Sequence, residues 1–110
     1  MPINRHQAIA VGTAPVSIAS VDNTILNETQ TVWGMTFANV VGTDCRVTLT
    51  VTNGKGQSVA IFKDVLLPAQ NMFGIGEDAF NFVLMPGDTV YVSSDTAASV
   101  DVTLTTRSYV

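Results

Sequence analysis

The chain has one imidazole, His6, and one thiol, Cys45, so any nucleophile–base pair of the Cys–His kind would have to be these two. His6 lies near the start, and Cys45 opens an alternating segment directly after Asp44. A small buried side chain is the simpler reading of that cysteine. Zinc needs three or four Cys, His or carboxylate ligands, and one His with one Cys does not supply them. Gly74-Ile75-Gly76-Glu77-Asp78-Ala79 spells a dinucleotide loop. That loop works only where a helix opens at the turn and presents its amides to a pyrophosphate. Residues 80–83 alternate like a strand instead, so a hairpin turn is expected.

Seven aspartates lie mostly in turns. Glu77, Asp78, Asp88 and Asp95 sharing one end of the fold is the arrangement that would suit calcium, but no EF-hand loop occurs. Turn capping explains these acids. A glycosidase needs two opposed carboxylates in an aromatic cleft, and the single Trp and two Tyr are not paired with acids in sequence. Asn27-Glu28-Thr29 spells a glycosylation sequon, read as chance because no secretory leader is visible. The expectation is a non-enzymatic protein with no cofactor and no metal, made in a cytoplasm.

The elements that would position such groups are strands. Val, Thr and Ile make up 36 of the 110 residues. Residues 14–21, 31–40, 45–52, 58–63, 72–75, 80–85, 89–93 and 100–107 alternate at period two or read as short extended runs. Turn signals separate them. Asn53-Gly54-Lys55-Gly56 reads as a hairpin with positive φ at Asn-Gly. Pro86-Gly87 fits the centre of a type II turn. Asp22-Asn23-Thr24 and residues 76–78 read as further turns, and residues 94–99 as a polar, flexible link. No stretch of ten residues shows helical apolar spacing. The expected fold is one all-β domain, an antiparallel two-sheet sandwich of about seven or eight strands, jelly-roll or immunoglobulin-like, with a small barrel as a competing topology. Residues 14–110 form the domain, and residues 1–13 read as an N-terminal arm or an edge strand.

Composition bounds the partners. Charged residues are 13% of the chain, against about 25% in typical soluble domains. Net charge is −4, and the five basic residues are scattered, so no patch tracks a phosphate backbone and nucleic acid is not an expected partner. No apolar run is long enough to cross a bilayer, so no membrane partner is expected. Trp33, Met35 and Phe37 form an apolar stripe, read as core, opposite the small residues Gly34, Thr36 and Ala38. Thr48, Thr50 and Thr52 behind Arg46 on one strand, and Thr103 and Thr105 on another, give flat, uncharged, outward rows. Solvated sheets normally carry Lys and Glu there. These six residues are the candidate interaction surface. Tyr91 or Trp33 exposed beside acids or amides would favour a carbohydrate- or receptor-binding module instead.

The order of turn signals adds a resemblance. Asn39 leads to Asp44 and the strand Val47-Thr48-Leu49-Thr50-Val51. Leu67-Pro68-Ala69 forms a corner, and Leu84-Met85-Pro86-Gly87-Asp88 a hairpin. The chain closes on Val100-Asp101-Val102-Thr103-Leu104 and Tyr109. Over residues 31–110 this order resembles small β-sandwich structural proteins of tailed bacteriophages. The resemblance implies a virion component of the head surface, neck or tail. Its partners would be copies of itself and other virion proteins, with capsid decoration or a head–tail junction preferred over a tail tube.

Overall fold

A computed structural model describes residues 3–21, 29–75 and 83–109. The turn expected at residues 22–24, the sequon, and the 76–82 segment with most of the dinucleotide-like loop lie outside these. Nine strands are described: β1 Ile3–Val11, β2 Val16–Ser20, β3 Thr29–Asn39, β4 Cys45–Thr52, β5 Ser58–Leu67, β6 Met72–Ile75, β7 Val83–Leu84, β8 Thr89–Ser94 and β9 Val100–Tyr109. There is no helix among the described residues.

All pairings are antiparallel and they nest. β4 pairs β5, β3 pairs β6 and β7, β2 pairs β8, and β1 pairs β9. The chain is thus one long ribbon with its tip at residues 53–57. Rolling that ribbon up adds the pairings β9–β3 and β8–β4. The result is two sheets, β1-β9-β3-β6 with β7 also beside β3, and β2-β8-β4-β5. Of the two sandwich topologies expected, this is the jelly roll.

Side-chain alternation then builds the core. Val32, Met35, Phe37, Val100, Val102 and Leu104 from the first sheet meet Val47, Leu49, Val90 and Val92 from the second, all at most 2% exposed. Phe37 packs edge-to-face on Phe62, with ring centroids 5.5 Å apart. The apolar stripe of β3 differs from the sequence expectation. A bulge lies between Val32 and Gly34, where β3 carries one residue more than β9. The inward phase therefore switches from Val32 to Met35, and Trp33 falls on the extra position; its side chain lies outside the described part. β2 behaves alike: its register slips between Ser17 and Ala19, so Ile18 and Ala19 are both buried while Val16 is exposed.

Residues 3–11 are a strand throughout, in register with β9 from Ile3 opposite Arg107 to Val11 opposite Val100. Ala8 and Val11 belong to the core. A segment bonded this way within its own chain is not an arm free to join a neighbour's sheet.

Two turns show how local chemistry sets the register. Asp88 N–H donates to Met85 O at 3.0 Å across Pro86-Gly87, and Gly87 has φ 91°. This is the expected type II geometry. At the ribbon tip the left-handed residue is Gly56, φ 80°, rather than Asn53 or Gly54. Gly56 N–H bonds Asn53 O, and the Asn53 carboxamide oxygen accepts from Lys55 and Gln57 N–H. The loop is a turn closed by a glycine bulge. Gly87→Val forces a β-branched residue into positive φ and should cost about 1–3 kcal/mol, read as a lower denaturant midpoint. An unchanged midpoint would refute the turn.

Candidate functional site

The candidate threonines sit on the middle strands of opposite sheets. β4 lies between β8 and β5, and β9 between β1 and β3. With Val47, Leu49, Val102 and Leu104 buried inward, alternation points Thr48, Thr50 and Thr52 out from the second sheet. Thr103 and Thr105 point out from the first. The structure brings together two faces, not one.

The two faces use their hydroxyls differently. On the second sheet, Thr48 Oγ1 accepts Asp64 N–H at 3.1 Å, and Thr52 Oγ1 lies 2.8 Å from Ser58 Oγ. Arg46 Nη1 donates to Asp64 O at 3.0 Å. Asp64 sits at φ 54°, in a stretch of β5 that is out of step with β4. These side chains therefore secure the irregular β5 edge. Tyr91, half-buried, lies in the row Ser17–Tyr91–Thr50–Ala60. No acid or amide flanks it in that row.

On the first sheet the outward rows run Arg5–Thr105–Gly34, Gln7–Thr103–Thr36–Gly74, and Asp101–Ala38–Met72. Arg5, Gln7 and Thr36 are exposed, and Thr103, Thr105 and Ala38 half-buried. Arg5, Gln7, Thr36, Thr103 and Thr105 make no side-chain hydrogen bond with one another or with any other described residue. Asp101 Oδ1 accepts Ala10 N–H at 2.8 Å and holds the bulge at the end of β1. Ile9 and Met72, 80% and 65% exposed, stand on the two edge strands. Arg5, Gln7, Thr36 and Asp101 were not singled out from sequence. The signal was the alternation of Arg5 and Gln7 against His6 and Ala8, hidden when the segment is read as aperiodic.

Cys45 and His6 take separate places in the fold, at the start of β4 and on β1. Cys45 is buried at the start of β4. His6 Nε2 meets Thr106 Oγ1 at 3.3 Å, and Thr106 donates its hydroxyl proton to Gln30 Oε1 at 3.0 Å. A hydroxyl has one proton, so His6 is the donor and its neutral ring carries hydrogen on Nε2. Burial holds His6 below the ordinary imidazole range. No cluster of three metal-ligating side chains occurs among the described residues. Asp88 and Asp95 flank β8 at opposite ends, roughly 20 Å apart along a strand, so the shared calcium site fails for that pair; Glu77 and Asp78 lie outside the described residues. Asp95 accepts Arg46 N–H at 2.9 Å and the Thr96 hydroxyl at 3.0 Å. Those two bonds hold its carboxyl below the usual range.

Two turn signals of the resemblance, Asn39 to Asp44 and Leu67-Pro68-Ala69, meet at one corner. Asn39, 4% exposed, donates through Nδ2 to Thr43 O and Leu67 O and accepts Val41 N–H at Oδ1. Asp44 Oδ1 accepts Ala69 N–H at 2.9 Å. The Asn-to-Asp turn and the Leu-Pro-Ala corner thus clamp each other and tie β3 to β5 across the sandwich. The 94–99 link is polar but not slack: Ser94 and Ser99 hydroxyls lie 2.6 Å apart, both buried, and Ser99 N–H bonds Val11 O.

No protein family, curated protein or solved structure matches the chain.

Asn39→Ala strands Leu67 O and Thr43 O and should cost about 1–3 kcal/mol, measured by denaturant unfolding. His6 gives a pH signature. Its folded pKa is depressed, so its stabilisation is complete above the ordinary imidazole pKa and is lost as pH falls through the lowered one. Tm should decline between about pH 7 and pH 5, and His6→Gln should flatten that decline. An identical slope in the variant would assign it to another group.

Proposed function

We propose that this chain is a non-enzymatic structural protein of a bacteriophage particle, at the capsid surface or the head–tail junction, working in symmetric multimers. The observation that carries the reading is the first sheet's outer face. It is four strands wide, and between Arg5, Asp101 and Arg107 its two central strands bear Gly34, Thr36, Ala38, Thr103 and Thr105, where a solvated sheet normally bears lysine and glutamate. Its hydroxyls are unused within the described chain, and apolar side chains stand at both margins. The jelly-roll topology is compatible with this role but does not imply it, since the same fold serves lectins and cupins. The resemblance in turn order over residues 31–110 supports the phage setting.

Quantitative mass spectrometry of purified particles provides the test. The protein should co-purify at a fixed copy number that is a multiple of a particle symmetry axis. Recovery only as free protein, at variable ratio to the particle, would overturn the reading.

A further inference from the structure

We infer that the outer face of the β1-β9-β3-β6 sheet docks on the same face of a second copy about a two-fold axis, with Asp101 of each copy set against Arg5 of the other. This pairing rests on the structural reading above and names its contact.

Three observations select the face and the occupant. Thr48 and Thr52 on the other sheet are occupied with their own β5 edge, whereas Thr36, Thr103 and Gln7 have no side-chain hydrogen-bond partner among the described residues. Gly34, Thr36 and Ala38 form the β3 row of this face, short side chains over which another sheet can approach the β3 backbone closely. Finally, the charges are self-complementary in one orientation. Arg5 lies opposite Thr105, and Asp101 four residues earlier on β9. An axis lying in the interface, across the strands at the Gln7–Thr103–Thr36 row, reverses the strand direction. It carries Asp101 of one copy to the Thr105 position of the other, beside Arg5, and forms the reciprocal pair at the same time. An axis parallel to the strands would stack Asp101 on Asp101 instead. An isologous contact satisfies each of its charges twice.

The area sets the strength. Four strands at about 4.8 Å spacing and six residues at about 3.4 Å give roughly 400 Å² of face. A standard interface takes about 800 Å² from each partner. The pair is therefore weak alone and suited to repetition in a particle, where neighbouring contacts add avidity.

Charge exchange and cross-linking test this in the full chain. Sedimentation equilibrium over a concentration series should show Arg5→Asp and Asp101→Arg each weakening dimerisation by about tenfold or more through like-charge contact, and the double exchange restoring it. Asp101 also holds Ala10 N–H, so Thr103→Cys supplies an independent reading that leaves the fold untouched. A bis-maleimide spanning about 10 Å, the spacing of stacked sheets, should link two copies at position 103, and Thr50→Cys should not link. Cys45 is 1% exposed and does not compete. Oligomers that form without linkage at position 103 and ignore the charge exchange would overturn this face and leave the multimeric reading standing. A protein monomeric throughout, unlinked at either position and absent from particles, would overturn both.

Discussion

The last strand of the chain must lie down between the first and the third. β9 takes both of its neighbours from far away in sequence: Ile3 opposite Arg107 on one side, Thr29 opposite Tyr109 on the other. Within the first sheet β3 can pair with β6 and β7 early, but β1 has no neighbour until β9 is in place. Closing loops of this length costs entropy before any contact repays it, so folding should be slow for a domain of this size. The same ladder fixes which side chains face water. Once Val100, Val102 and Leu104 point inward, Asp101, Thr103 and Thr105 have no other direction available. The outer face is the obligatory complement of the core, and its composition is the part left free to vary.

Much of the architecture was legible because its signals are local. β4 and β6 begin and end where alternation says they should, and the Pro86-Gly87 turn follows from two residues with opposite φ demands. Legibility failed at bulges. One extra residue in β3 moved the inward phase from Val32 to Met35, and another in β2 buried Ile18 and Ala19 together. Bulges depend on the partner strand, which a single segment does not reveal. The left-handed position at the ribbon tip moved from Asn53-Gly54 to Gly56 for a related reason: loop length, not the dipeptide, chose the turn. The candidate surface was half legible. The threonine rows were visible, but their division between two faces, and the partners Arg5, Gln7 and Thr36, required the topology.

The polar side chains at the corners explain why the ribbon rolls up in one way. Asn39, Asp44, Ser94 and Ser99 sit where the chain passes from one sheet to the other, and their bonds reach backbone groups of the opposite layer or of adjoining links. A corner of this kind is satisfied only when both sheets are in place, because its carbonyls and amides are shielded from water on either side. Apolar burial supplies most of the driving force but little direction. These side chains supply direction. Asn39 joins the 39–44 turn to the end of β5, so a misregistered β5 would leave one buried amide hydrogen and Leu67 O unpaired.

Edges and faces are treated in opposite ways, and this contrast bears on how the molecule meets others. β1 carries a bulge between Ala8 and Val11 with Ala10 at φ 56°. β2 slips register at Ile18, and β5 places Lys63 beside a left-handed Asp64. β6 is only four residues long. Each device spoils an edge as a template for another strand. No comparable protection covers the outer face of the first sheet, where a single lysine in the Thr36–Thr103 row would have sufficed. On the function proposed above, blunted edges beside a threonine-rich face favour stacking sheet on sheet over extending a sheet sideways. Edge addition in register tends to propagate without limit, whereas face contact about a two-fold axis closes on itself. For a component required in fixed number, closure is the property that matters.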